Sequence, residues 1–203
     1  LDKPVPTPAD YAEALSAFVD ALGLRRFALL GHSMGALPAA AFCRVTGTER
    51  VERLILAAPT SGYASASPEL RRLRIEGRLH DMAELGPAGL AEKRAPGLLS
   101  AQAPRRAHML VRAAMKEMRP DGYGRAVEML GRSDIFAEAK GIQVPTLVLC
   151  GSNDATTPPE NCRRIAAAIP GARYVEIAGP AHALYIESPG PFDEAVLIFL
   201  GIQ

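Results

Sequence analysis

The sequence predicts an α/β protein with a mostly parallel sheet and helices on both faces. Short apolar runs, Phe27–Leu30, Leu54–Ala58, Thr146–Cys150 and Tyr174–Ile177, alternate with longer segments of helical spacing. Runs this short and this apolar read as strands buried on both faces, the kind found inside parallel sheets. Capping signals or glycines separate most of these strands from their helices. At 203 residues, 48% hydrophobic and 22% charged, the chain is long enough to bury a real core as one domain with a subdomain.

The first helix announces its start. Thr7 suits the capping position, Pro8 the first turn, and Asp10 the third position, where a carboxylate reaches back to the cap. Tyr11, Leu15, Phe18, Val19 and Leu22 then share one face, and Gly23 stops the helix. The strand Phe27–Leu30 should have neighbours on both sides. Gly31 breaks it, and a helix follows from Met34 to Arg44 with Pro38 near its first turn. After the strands at 54–58 and 146–150, Thr157-Pro158-Pro159-Glu160 reads as a second capping box opening a helix to Ile169. The strand at 174–177 and a helix from Pro191 to Leu200 complete the alternation.

Residues 61–140 break this rhythm. They hold 14 Lys and Arg against 10 Asp and Glu, and no strand pattern, with Pro87, Pro96, Pro104 and Pro120 cutting them into short helices. The expected organisation is therefore a core of residues 1–60 and 141–203 carrying a helical cap at 61–140.

Charge and composition exclude several function classes. A net charge of +1 gives no footprint for nucleic acid or an anionic membrane, and no apolar run approaches the roughly 20 residues that span a bilayer. The start at Leu1 lacks the basic and apolar regions of a signal peptide. Cys43, Cys150 and Cys162 are an odd number in apolar or helical surroundings, which fits reduced thiols and a cytoplasmic location. No His, Cys or carboxylate cluster has metal-ligand spacing, and no glycine loop is built for phosphates, so neither metal nor cofactor is expected.

The chemistry concentrates in Gly31-His32-Ser33-Met34-Gly35, between a predicted strand and a predicted helix. In that context the pattern describes a tight turn that pushes Ser33 above the sheet edge, with glycines needed at both outer positions to avoid clashes. The backbone N–H of Met34 and the helix N-terminus can there stabilise an oxyanion. A serine hydroxyl needs a base, and the base an orienting acid. Asp154 and His182 follow later strands, at the carboxyl edge where open parallel sheets gather their sites. Asp154 alone reads equally well as a turn former, and a lone loop histidine as a surface residue; the chain order Ser, Asp, His raises both. His32 reads as a structural neighbour of the turn.

These segments resemble the capped α/β-hydrolase-fold serine hydrolases, which include lactonases, esterases and C–C bond hydrolases. The resemblance rests on Gly31–Gly35, on Gly151–Pro158 as the acid loop, and on His182-Ala183-Leu184-Tyr185-Ile186-Glu187-Ser188-Pro189. It implies that Ser33 is the nucleophile, His182 the general base and then acid, Asp154 the orienting carboxylate, and residues 61–140 the cap. The family has Gly before its histidine where this chain has Ala181. The family also carries strands ahead of the first helix, with an His-Gly segment that supplies a second oxyanion donor. Leu1-Asp2-Lys3-Pro4 resembles the stretch that follows that region, so those strands are expected to be absent from this chain. His32 before the serine resembles lactonases and esterases more than C–C hydrolases, and with the basic cap the closest appearance is to 3-oxoadipate enol-lactonases. The expected function is hydrolysis of a small-molecule ester or lactone through an acyl-enzyme. A C–C bond hydrolase, or a receptor of the same fold that binds without turnover, are the alternatives.

Overall fold

In a computed structural model describing residues 3–46 and 49–202, Thr7 caps α1 (Pro8–Ala21) as its sequence predicts. The Thr7 hydroxyl accepts from the Asp10 N–H at 3.3 Å, and the Asp10 carboxylate accepts from the Thr7 N–H at 2.7 Å. Leu1 and Asp2, the front of the Leu1–Pro4 stretch, lie outside the described residues. The apolar face of α1 is narrower than expected. Ala12 and Val19 are buried and Tyr11 and Leu15 pack on the core, but Phe18 is 60% exposed and Leu22 57%. α1 leans on α2 (Ala36–Thr46); Phe18 falls at the margin of the stripe that holds Ala12, Leu15 and Val19, and Leu22 is the C-cap residue, past the last helical turn.

Four parallel strands form one sheet in the order β1 (Phe27–His32), β2 (Val51–Ala57), β3 (Thr146–Gly151) and β4 (Arg173–Ile177). α2 and α7 (Pro159–Ala168) cover one face over Leu54, Leu56, Val148 and Cys150. α9 (Pro189–Leu200), which follows the short α8 (Leu184–Glu187), covers the other over Ile55, Leu147, Leu149 and Ile177. β3, in the middle, is buried along its whole length. β1 departs from expectation. Phe27 and Leu29 face the α1–α2 side and pack on the core, but Ala28 is exposed and Leu30 is 43% exposed. Among the described residues no strand pairs with its outer edge, and the apolar cluster under α9 takes its strand residues from β2, β3 and β4. Pro38 fits as the third residue of α2, where the missing N–H falls among donors that have no helical acceptor anyway.

Residues 61–140 supply α3 (Pro68–Arg94), α4 (Arg105–Lys116), α5 (Pro120–Arg132) and α6 (Ile135–Ala139). The break in α3 falls at Gly86, whose φ of 61° and ψ of −179° only glycine adopts freely, just before Pro87. The other prolines mark boundaries: Pro96 a 3-10 turn at Ala95–Leu98, Pro104 the position before α4, Pro120 the start of α5. Met129, Leu130, Ile135 and Ala139 join the main core, whereas Ala95, Leu99, Ala107 and Val111 form a separate cluster that takes in Ala183. No helix among the described residues is long and apolar enough to cross a membrane.

Candidate active site

Ser33, Asp154 and His182 meet at the carboxyl edge of the sheet. Ser33 leaves β1 on a 3-10 turn, Ser33–Gly35, that leads directly into α2. Its φ of 52° lies in the left-handed region, where a side chain is strained. Met34 follows in the first turn, where N–H groups have no helical acceptor.

Gly31 permits this turn: a Cβ there would stand 2.6 Å from the Gly35 carbonyl oxygen and 2.9 Å from the Ala39 Cβ. The clash expected at the second glycine does not exist, because a Cβ on Gly35 meets nothing within 4 Å. Gly31 points inward onto the start of α2, whereas Gly35 faces out. Gly31→Ala should therefore destabilise the protein by about 2–3 kcal/mol through overpacking, and Gly35→Ala by much less. Thermal unfolding of the two variants checks this, and equal losses would contradict it.

The His182 Nδ1–H donates to Asp154 Oδ2 at 2.8 Å, and His182 Nε2 stands 2.8 Å from Ser33 Oγ, placed to accept its proton. Asp154 is 3% exposed and His182 4%, while Ser33 is half-buried. Burial pushes the Asp154 carboxyl up, but the hydrogen bond and charge of His182 and the Thr157 donors outweigh it, so the net shift is downward. Gly151 brings the histidine loop within reach: a Cβ on it would stand 2.2 Å from the Pro180 carbonyl oxygen.

Several residues bonded to the site were not assigned to it by their sequence pattern. Thr157 was expected to cap α7 but does not. Pro159 occupies the first helical position, so Pro158 takes the capping place and has no side-chain acceptor to offer. The Thr157 Oγ1, freed of that role, stands 2.7 Å from Asp154 Oδ2, 3.1 Å from the Ala58 carbonyl oxygen and 3.2 Å from His182 Nδ1. The backbone N–H groups of Thr156 and Thr157 donate to Asp154 Oδ1 at 2.8 and 2.9 Å. The loop after β2 also joins in, as the Thr60 N–H donates to the Ser33 carbonyl at 3.3 Å. The Glu187 carboxylate accepts from the Ala181 N–H at 3.1 Å, the Ser100 N–H at 3.0 Å and the Ser100 hydroxyl.

His32 is more than a neighbour of the turn. Its Nε2 lies 3.0 Å from the His182 carbonyl oxygen, and its ring packs 4.8 Å from the His182 ring and edge-on to Tyr185 at 4.9 Å. Burial, then the positive charge His182 can carry, holds His32 down to about 4 from 6.5. Between those values the unfolded chain binds a proton that the folded chain refuses, so stability falls as pH drops from 6.5 towards 4. The loss is at most about 3 kcal/mol. Denaturant unfolding at pH 7 and pH 5 should show it, with a smaller difference for His32→Gln; an unchanged slope in that variant would exclude His32 as the source.

Within residues 61–140, Arg78 donates to the Tyr63 hydroxyl at 3.0 Å and Arg94 to the Tyr123 hydroxyl at 3.1 Å, while Arg74 lies 4.8 Å over the Tyr63 ring. Other cations of this stretch pair with acids: Lys93 with Asp81, Arg112 with Glu92, Arg132 with Glu128. Among the described residues no carboxylate lies within ion-pair distance of Arg78 or Arg94.

An elbow serine, a buried carboxylate and a histidine in hydrogen-bonded line at the strand ends are the arrangement that the nucleophile-elbow class of hydrolases presents. The sequence matches the alpha/beta hydrolase fold family over residues 6–189, and the chain belongs to that family. It is 28% identical to a putative carbamate hydrolase, RutD, of Pseudomonas syringae, over 98% of this chain and 79% of that one. Its structure is similar to an enol-lactonase from Burkholderia xenovorans, with TM-score 0.85 and 29% identity over 98% of this chain and 74% of that one. A thermophilic esterase from Thermogutta terrifontis, solved with malate bound, gives TM-score 0.85 and 28% identity over 97% of this chain and 72% of that one.

Proposed function

We propose that this protein is a serine hydrolase that cleaves a carboxylic ester or lactone through an acyl-enzyme. The unbroken line of hydrogen bonds from Asp154 through His182 to Ser33, 2.8 Å at each step, carries this reading. Ser33 Oγ attacks the substrate carbonyl as His182 Nε2 takes its proton, and Asp154 holds the Nδ1–H and balances the imidazolium. The Met34 N–H stabilises the oxyanion. Collapse of the tetrahedral intermediate breaks the acyl–oxygen bond, and His182 returns the proton to the leaving oxygen, which in a lactone stays attached to the acyl chain. Water, deprotonated by His182, then attacks the ester and releases the acid and Ser33.

The substrate we favour is a small lactone bearing a carboxylate, as for a 3-oxoadipate enol-lactonase, under a cap of residues 61–140. The likeness to an enol-lactonase and to an esterase that binds malate supports it, as do Arg78 and Arg94, which donate to tyrosine hydroxyls and, among the described residues, form no ion pair. Each arginine is linked to a segment that contacts the site. Tyr63 is three residues past Thr60, which touches Ser33, and Arg94 precedes the segment whose Leu98 carbonyl accepts from Ala183 N–H. Arg78→Ala should raise KM for a carboxylate-bearing lactone roughly tenfold to a hundredfold, the loss of one charged hydrogen-bonding partner, and leave a neutral p-nitrophenyl ester nearly unaffected. Equal effects on both would remove the carboxylate role.

Carbamate cleavage is the second reading, favoured by the putative carbamate hydrolase similar over 98% of this chain. It uses the same attack and differs in the leaving nitrogen. Labelling with a fluorophosphonate probe should fall on Ser33, and one panel of small lactones, p-nitrophenyl esters and carbamates ranks the substrates. Absence of labelling on the folded protein would sink the serine mechanism, and turnover of carbamates alone would replace the lactone.

A further inference from the structure

The loop that carries His182 is tied on three sides. The Ala181 N–H donates to Glu187 at 3.1 Å, the His182 carbonyl accepts from His32 at 3.0 Å, and the Ala183 N–H donates to the Leu98 carbonyl at 2.9 Å. Two of these ties lead into the inserted region. Leu98 belongs to it directly, and Glu187 also accepts from the N–H and the hydroxyl of Ser100, two residues further on. Ala183 itself packs with Ala95, Leu99, Ala107 and Val111, so the residue beside the candidate base is part of the cap's own apolar cluster.

We propose that Glu187 is a positioning residue: together with Ser100 and Leu98 it makes the reach of His182 to Ser33 depend on the docking of residues 95–100. This rests on reading Ser33 and His182 as nucleophile and base. The physical logic is that a histidine ring on a loop stays within hydrogen-bond distance of a serine only while the loop backbone is held. A displacement of about 1 Å can cost on the order of a hundredfold in rate. Undocking of 95–100 removes the Leu98 tie and the Ser100 donors together, leaving the loop to His32 and a half-satisfied Glu187. The triad is then intact in composition and out of register.

The variants follow from the donors. Glu187→Ala removes the acceptor. Glu187→Gln keeps it, because the amide oxygen can accept from both N–H groups at the Oε2 position while its NH₂ donates to the Ser100 hydroxyl oxygen. The measurement is the rate of Ser33 labelling by a fluorophosphonate, with kcat and KM on whichever ester or lactone is turned over. Glu187→Ala should label and turn over about tenfold to a hundredfold more slowly with KM little changed, Glu187→Gln should recover most of the rate, and Ser100→Ala should lie between. The double variant Ser100→Ala with Glu187→Ala should be no slower than Glu187→Ala alone, since the two act as one unit. A Glu187→Ala protein that melts earlier yet labels at the wild-type rate would overturn the proposal. Should Glu187→Ala not fold, wild-type labelling of folded Ser100→Ala overturns it equally. Failure of the wild-type protein to label at Ser33 is a different result, and counts against the serine mechanism rather than the clamp.

Discussion

Ser33→Ala and His182→Ala are each expected to abolish hydrolysis while leaving the fold intact. Ser33 holds its strained turn through Gly31 and the backbone, not through its hydroxyl, and His182 Nε2 faces the serine rather than the core. Under the proposed mechanism, losing either removes nucleophile or base and leaves only what binding and the oxyanion donor supply, a fall on the order of 10³ to 10⁶ in kcat. His182→Ala also strips the Asp154 carboxylate of one donor, so a modest loss of stability accompanies the loss of rate. A variant that keeps a tenth of the rate on the preferred substrate would dismiss that residue from its role.

Asp154→Asn is expected to lower kcat by about 10⁴ for a reason the hydrogen bonds specify. Asp154 Oδ1 accepts from the N–H groups of Thr156 and Thr157, so the asparagine oxygen must take that place. Its NH₂ then occupies the Oδ2 position and points a donor at His182 Nδ1. The imidazole answers by moving its proton to Nε2, where it faces Ser33 Oγ and cannot accept the serine proton. Folding should be nearly preserved, since the Thr156 and Thr157 N–H bonds remain and the Thr157 hydroxyl can accept from the new NH₂ while donating to the Ala58 carbonyl. Near-normal turnover by a folded Asp154→Asn protein would show that another group orients His182.

Much of the site was legible because it depends on local chain geometry. A buried strand followed by Gly-x-Ser-x-Gly and a helix leaves the serine few places to go, so Ser33 and Met34 were readable from a few residues. Thr7 and Asp10 likewise fixed the start of α1 within a single turn. Thr157 misled for the same reason. Its spacing to Glu160 is that of a capping box, but adjacent prolines moved the helix start, and the hydroxyl joined a carboxylate it meets only when the acid loop curls back.

What the sequence determined on its own was therefore the alternation of strands and helices and the glycine-flanked turn at Ser33, because each is set by neighbours a few residues apart. What only the tertiary structure decided was every bond between distant segments. His32 reaches a carbonyl 150 positions away, Glu187 reaches Ser100 across 87, and Gly151 makes room for the loop at Pro180. The exposure of Phe18 and Leu30 belongs to the same category, since a strand or helix face is buried only if another element lies over it. Periodicity states which side chains share a face, and packing alone states what that face meets.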